Sequence, residues 1–181
     1  MKKPTAVLIT TLTIIGRLIP HPANFTTLGA GVLFGGSKIS RPWNYILPAT
    51  AMLITDFVIG LHGTMLYVYG AILISVWVGE RTLKDNPTTG KLTVIAVLNS
   101  TIFFILTNFG VWASTTMYAK NFTGLIQSYT MGLPFWRNMM LADVIFTVGF
   151  FSLYSFAEKK KLISLLDKNF QKIFYTRWGV N

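Results

Sequence analysis

The longest apolar pattern in the chain runs from Leu92 to Ala119 and contains no charged residue. A helix needs roughly 20 apolar residues to cross a bilayer, so this stretch predicts a membrane span. Five further apolar stretches of helical character accompany it. The pattern therefore predicts an all-α integral membrane protein with six transmembrane helices in one bundle, at about residues 5–19, 25–39, 43–61, 64–79, 92–113 and 138–157.

Two amphipathic segments lie outside these six spans. Between residues 114 and 137, apolar residues recur at helical spacing as far as Pro134. This spacing predicts a short helix on the outer membrane interface that either covers a cavity or seals the bundle. After residue 158, lysines alternate with apolar residues three to four apart, which predicts a basic amphipathic helix on the cytoplasmic leaflet. The predicted domains are the six-helix bundle over residues 1–158 and this cytoplasmic helix over residues 159–181.

The positive charges indicate which way the bundle faces. With a cytoplasmic N-terminus, 13 of the 16 Lys and Arg residues fall in cytoplasmic segments, and only Arg17, Lys120 and Arg137 fall outside. Every connection then satisfies the positive-inside rule, so both termini are predicted to be cytoplasmic. The same distribution accounts for the net charge of +10 without a nucleic-acid partner.

The amino-acid composition excludes several classes of functional site. Charged residues make up 12% of the chain, against about 25% in soluble domains, and the mean hydropathy is +0.52. The chain has no cysteine, which excludes disulfides, zinc–thiolate sites and thiol nucleophiles. Two histidines with nearby carboxylates are a weak metal signal, and residues 88–91 lack the leading glycine of a Walker A loop. We predict no metal, no cofactor and no ATP hydrolysis on this chain.

The second predicted span carries the pair Gly31-x-x-x-Gly35. Two small residues on one helix face allow the backbone of a neighbouring helix to approach closely. A packing contact inside the bundle is favoured over a contact with a partner protein.

Polar residues of the predicted spans share one depth near the outer surface, estimated from a rise of about 1.5 Å per residue. They are Arg17, His21, Asn24, Asp56, His62, Asn108, Asn138 and Asp143. An ionisable residue inside a membrane usually marks a functional site, because burying its charge in lipid is costly. We therefore expect these residues to line a ligand-binding pocket that opens to the outside. Residues 17–25 and 114–137 would roof it, with Trp112 and Trp136 stacking on the ligand or closing the roof. Alternatively, these residues pair with one another, for example as an Arg17–Asp56 ion pair, and bind nothing.

Four ordered motifs cover most of residues 15–150: RLIPHPANFT (17–26), Asp56 with GLH (60–62), TNFGVW (107–112), and PFWRN (134–138) with Asp143. Together they resemble an uncharacterised bacterial family of six-helix membrane proteins assigned to transport. The size and six-span layout are also similar to the substrate-binding S components of energy-coupling factor (ECF) vitamin transporters. That resemblance implies a vitamin-like ligand near the outer face, beneath the loop joining the first two helices, and a multi-pass location in the bacterial inner membrane.

The S-component resemblance also implies a partner, an ECF-type coupling protein with its ATPases. Ala6 and Thr10 match the small-x-x-x-small docking motif of S components poorly, so action without a coupling module stays open. The other expected partners are the solute and membrane lipids.

The combined prediction is an uptake protein, not an enzyme, that binds a vitamin or a related polar or aromatic solute near the outer membrane face. The expected ligand-binding residues are Arg17, His21, Asn24, Asp56, His62, Asn108, Trp112, Trp136, Asn138 and Asp143. One alternative is a membrane-embedded enzyme in which two aspartates and a histidine act as acid and base. The other is a structural or assembly subunit whose glycine faces and basic helix recruit partners.

Overall fold

A computed structural model describes residues 4–159 and, beyond them, residues 165, 166, 168, 169 and 172. This part of the chain forms six α-helices and one 3-10 turn, and it contains no β-strand. The elements are α1 (Pro4–Ile15), the 3-10 turn (Gly16–Leu18), α2 (Leu28–Lys38), α3 (Trp43–Ile59), α4 (Met65–Thr82), α5 (Thr89–Ser114) and α6 (Phe122–Lys159). The prediction of an all-α chain with six helices is confirmed. The amphipathic helix predicted over residues 159–181 lies almost entirely outside the described residues.

The helices differ strongly in length. α5 has 26 residues and α6 has 38, and both are long and apolar enough to cross a membrane. α1 has 12 residues and α2 only 11, so α2 spans about 16 Å. We call the end of the bundle that holds residues 19–27, 60–64 and 115–121 the upper end. The end that holds residues 39–42 and 83–88 is the lower end.

The outside of the bundle is apolar. Large hydrophobic side chains are exposed on α1, α3, α4, α5 and α6, and Phe57 and Leu66 keep 70% and 79% of their surface. Water-soluble monomers rarely show contiguous apolar surface of this extent. This surface supports association with a membrane.

The sixth helix starts much earlier than predicted. The side-chain carbonyl of Asn121 accepts a hydrogen bond from the backbone N–H of Gly124 at 2.8 Å, an N-terminal cap that begins α6. The helix then continues through Pro134 to Lys159. The short interfacial helix predicted to end at Pro134 is therefore wrong, because this segment forms the first part of α6.

Packing against α5 explains why Pro134 does not end the helix. The hydroxyl of Tyr129 donates to the carbonyl of Ile105 at 3.0 Å, and the hydroxyl of Ser128 donates to the carbonyl of Asn108 at 3.3 Å. These contacts hold the first turns of α6 along α5. Proline removes one helical hydrogen bond, and tertiary contacts on both sides of it keep the helix continuous.

α2 lies at the centre of the bundle, with eight of its eleven residues buried. On one face, a Cβ at Gly31 would clash with the side chain of Thr13, and a Cβ at Gly35 would clash with that of Thr10. Both threonines belong to α1. The internal packing contact predicted for Gly31 and Gly35 is confirmed.

On another face, α2 crosses α4 with the two backbones in direct contact. A Cβ on Gly36 of α2 would meet the backbone of Val76, and a Cβ on Gly79 of α4 would meet the backbone of Leu33. Reciprocal glycines therefore set the distance between these two helices, since any side chain would push them apart.

The lower end is held by aromatic and charged contacts. The ring of Phe34 lies edge-on to those of Phe151 and Tyr154, with centroids 5.3 and 5.2 Å away. Arg41 donates from Nη2 to Glu80 at 2.8 Å, and hydrogen bonding to this carboxylate raises the pKa of the Arg41 guanidinium. These contacts tie α2 to α6 and the α2–α3 connection to α4.

Substituting Gly36 by Ala should destabilise the protein by about 1–3 kcal/mol, because the added methyl meets the Val76 backbone, which cannot move aside. Gly149→Ala is the matched control, since a Cβ there meets nothing within 4 Å and alanine favours the helix. Thermal unfolding in mild detergent should give a lower midpoint for Gly36→Ala only. Equal midpoints for both variants would contradict the close crossing of α2 and α4.

Candidate ligand-binding cavity

A cavity of about 750 Å³ lies at the upper end, above the N-terminus of α2. This volume falls within the range of roughly 300–1,000 Å³ that is usual for small-molecule sites. The 3-10 turn, the connection after it and every helix from α2 to α6 contribute to its lining. The polar and charged lining residues are Arg17, His21, Asn24, Thr26, His62, Ser75, Asn99, Thr107 and Asp143.

Helical spacing builds the walls. On α5, Asn99, Phe103 and Thr107 follow one another at intervals of four residues and line the same side of the cavity. Met139 and Asp143 do the same on α6. Residues four apart lie one above the other on a helix, so each helix presents a strip to the cavity.

The floor combines three polar residues with the apolar Val32 of α2 and Met52 of α3, and the walls above it are mainly apolar. The lowest lining residues on α4, α5 and α6 are Ser75, Asn99 and Asp143, and all three are buried. Above them lie apolar side chains, including Ile72 and Phe103. An apolar enclosure with a few placed polar groups is the usual composition of a small-molecule site.

Arg17 and Asp56 form an ion pair at the edge of the cavity, with Arg17 Nη1 2.9 Å from Asp56 Oδ1. Nη1 also donates to Thr55 Oγ1 at 3.0 Å, and the hydroxyl of Tyr69 donates to Asp56 Oδ2 at 2.9 Å. Asp56 is fully buried and does not line the cavity, whereas the Arg17 side chain is 16% exposed and does. The side-chain hydrogen bonds of Arg17 to the described residues all use Nη1, so its Nε and Nη2 keep N–H donors for an occupant.

Asp143 occupies the floor and is 2% exposed. Its carboxyl group lies near the Asn99 side chain and the backbone N–H of Ala30, in the first turn of α2. A Cβ on Gly29 would clash with this carboxyl group, so glycine is required for its approach. Asp143 therefore packs against the first turn of α2 from a different helix.

Three of the predicted residues lie at the mouth. His21 contacts the carbonyls of Pro22 at 2.9 Å and Arg17 at 3.3 Å. His62 contacts the hydroxyl of Thr64 at 2.8 Å. Both histidines and Asn24 are exposed and line the cavity. This part of the predicted roof, formed by the connection between α1 and α2, is therefore present.

Asn138 lies next to the mouth without lining the cavity. Its side-chain amide donates to the carbonyl of Ala23 at 3.1 Å. This bond fastens the α1–α2 connection to α6. Asn138 thus positions the roof segment and does not face the enclosed space.

Three further predicted residues lie away from the cavity, between α5 and the first turns of α6. Asn108 donates to the carbonyl of Phe104 at 2.9 Å and faces Gly132. The indole N–H of Trp112 donates to the carbonyl of Ala119 at 3.0 Å, and Trp136 packs on Phe104 with ring centroids 5.7 Å apart. The roof predicted over residues 114–137 is likewise wrong, because none of these residues lines the cavity.

Asp143 follows Asn138 by five residues, or about 7.5 Å along α6, as in the predicted span. Asn138 is bonded to the α1–α2 connection, so Asp143 lies within two turns of the mouth although α6 itself begins 21 residues earlier. Ser75 and Asn99 were missed altogether. The four-residue spacing of Asn99, Phe103 and Thr107 is the signal that would have found the α5 strip.

Among the residues that the structure describes, no group of three His, Cys, Asp or Glu side chains could hold a metal ion. The cavity offers hydrogen-bond donors at Arg17, acceptors at Asp143 and an apolar body between them. Its chemistry is that of binding an amphipathic small molecule.

Comparison with known proteins places the chain in a family. A family model described as a family of unknown function, DUF6580, matches residues 2–166. The chain belongs to the DUF6580 family. The match covers all six helices of this DUF6580 member, and the family's description assigns no role to the cavity. No curated protein and no solved structure matches the chain.

Substituting Arg17 should lower the stability of the protein more than substituting its ion-pair partner Asp56. Arg17→Met leaves the fully buried Asp56 without a cation and should destabilise the protein by about 3–5 kcal/mol. Asp56→Asn should cost less, because Arg17 reaches the cavity and Tyr69 still has an acceptor. Thermal unfolding in detergent measures both, with Arg137→Met at an exposed position as the control. A larger loss for Asp56→Asn than for Arg17→Met would refute this account of the pair.

Proposed function

We propose that this protein captures a small polar or aromatic solute, such as a vitamin or a related compound, outside the cytoplasmic membrane and takes part in its uptake. The observation that carries the proposal is the cavity of about 750 Å³, with an exposed mouth at His21 and His62 and a buried polar floor at Asn99 and Asp143. A cavity that ends in a polar floor inside an apolar bundle suits a solute that enters from one side.

The proposal includes six membrane spans, both termini in the cytoplasm and a bacterial inner-membrane location. The exposed apolar side chains on five of the six helices support this arrangement. Lys120 is the one Lys or Arg residue in the upper connections, with Arg17 in the 3-10 turn and Arg137 within α6, whereas Lys38, Arg41 and the other cations of the described bundle lie at the lower end. By the positive-inside rule the upper end, with the mouth, faces outward.

Binding is favoured over acid–base catalysis by the state of the two aspartates. The catalytic alternative needs Asp56 and Asp143 to face a common substrate. Asp56 is fully buried behind Arg17 and outside the lining, and Asp143 is packed against the first turn of α2. Movement of the solute would follow from rocking of the bundle, with or without an ECF-type coupling protein.

Filling the cavity should prevent capture. Thr107→Trp places an indole in the cavity, and Thr130→Trp is the matched control on the exposed face of α6. Both hydroxyls donate to a carbonyl four residues earlier, at 2.8 and 2.9 Å, so the two substitutions remove the same local bond. Mass spectrometry of compounds that co-purify in mild detergent should find one in wild type and Thr130→Trp but not in Thr107→Trp.

Once that compound is known, the same two variants should differ in its rate of uptake into cells. Cells expressing Thr107→Trp should accumulate it at the background rate, and cells expressing Thr130→Trp at the wild-type rate. Folded Thr107→Trp that retains both the compound and its uptake would refute the cavity as the capture site.

The proposed orientation is tested with single cysteines, since the native chain has none. Cysteines at His62 and Lys120 should react with an impermeant maleimide added to whole cells. A cysteine at Asp85 should react only after the membrane is opened, because it follows α4 at the lower end. The reverse pattern would place the mouth of the cavity in the cytoplasm.

A further inference from the structure

The charges around the cavity do not balance. Arg17 lines the cavity but forms an ion pair with Asp56, which neutralises it. His21 and His62 stand at the exposed mouth. Asp143 on the floor takes part in none of the ion pairs between described residues. When Asp143 is ionised, Arg17, Asp56 and Asp143 together leave one negative charge, and that charge lies inside the cavity at the first turn of α2.

The polar groups next to Asp143 are neutral. They are the Asn99 amide and the backbone N–H of Ala30. The N-terminus of α2 adds roughly half a positive charge, which does not cancel a full carboxylate. Two carboxylate oxygens accept about four hydrogen bonds, so capacity is left over on the cavity side. An ionised carboxylate that is 98% buried needs a cation or a proton to be stable.

The surroundings of Asp143 also favour an organic cation over a bare metal ion. No three metal-ligating side chains come together in the described part of the chain. The Phe103 ring lies one helical turn above Asn99, the amide that binds Asp143. Aromatic faces attract organic ammonium groups, and the attraction grows when water is excluded. Met139, one turn above Asp143, adds a polarisable apolar wall.

We infer that the solute is an amphipathic organic cation whose protonated nitrogen binds Asp143 and whose apolar body lies between Phe103 and Met139. This inference rests on the proposed function and names the chemical class of its solute. The free N–H donors of Arg17 are then left for a hydrogen-bond acceptor at the opposite end of the molecule. Asp143 selects the charge, Phe103 and Met139 accommodate the body, and Arg17 fixes the orientation.

The test compares three probes that share one body and differ only in the head group: 3-phenylpropylamine, 3-phenylpropanol and 3-phenylpropionate. Their affinities for the full-length protein in mild detergent are measured at pH 7 by equilibrium dialysis. The amine should bind at least about tenfold more tightly than the alcohol, which corresponds to about 1.4 kcal/mol. The carboxylate should bind more weakly than the alcohol, because it would meet the charge of Asp143.

Asp143→Asn supplies the second measurement. Asparagine has almost the same size, so it fits against Gly29 as the aspartate does. The amine-to-alcohol preference should fall to about one in this variant. Asp85→Asn, which removes the same charge at the exposed lower end, should keep the wild-type preference.

The outcomes separate the two proposals, and the wild-type comparison needs no variant to fold. If the alcohol or the carboxylate binds wild type as tightly as the amine, the assignment of a cation is overturned while the cavity remains a capture site. If none of the three probes binds but a natural compound still co-purifies and is lost from Thr107→Trp, the cation class is likewise overturned and capture stands. If nothing binds or co-purifies, both proposals fail.

Discussion

The structure depends on the close approach of α2 to its neighbours. Glycines on two faces of this helix let its backbone touch α1 and α4, so that an 11-residue segment sits at the centre of the bundle. The cavity lies at the upper end of α2 and beside its first two turns, where Leu28, Gly29 and Val32 line it.

The first turn of α2 thus packs against α6 and also forms part of the floor of the candidate site. A helix N-terminus leaves backbone N–H groups without intrahelical partners, and here a carboxyl group from α6 lies next to the N–H of Ala30. Gly29 makes room for that carboxyl group. A residue that completes a helix end and also faces a cavity links occupancy of the cavity to the packing of the bundle. An occupant bound at Asp143 would therefore contact α2, α5 and α6 together.

The two buried aspartates have different roles because their surroundings differ. Asp56 has a guanidinium and a phenol as partners and ties the 3-10 turn to α3 and α4. Asp143 has only neutral donors and lies against empty space. The pairing interpretation offered for the polar residues thus holds for Asp56, and the site interpretation is supported at Asp143. The two aspartates therefore do not belong to one polar layer with a single role.

Much of the site could be anticipated from local pattern. Arg17, His21, Asn24 and His62 were expected at one end because they flank short connections, and they do line the cavity. Asn108, Trp112 and Trp136 were expected beside them, but they face the first turns of α6. That error follows from Pro134: local preference ends a helix near proline, and contacts with α5 carry it through.

The sequence by itself determined that the chain is helical, that its surface is apolar and that Gly31 and Gly35 pack inside the bundle. These properties follow from composition and from spacing within one helix, which neighbouring residues decide. Only the tertiary structure decided that α2 is central, that Asn99 meets Asp143 and that Asp56 is sealed behind Arg17. Such pairings join residues distant in the chain. Their geometry depends on how far one helix slides and turns against another, which no single segment specifies.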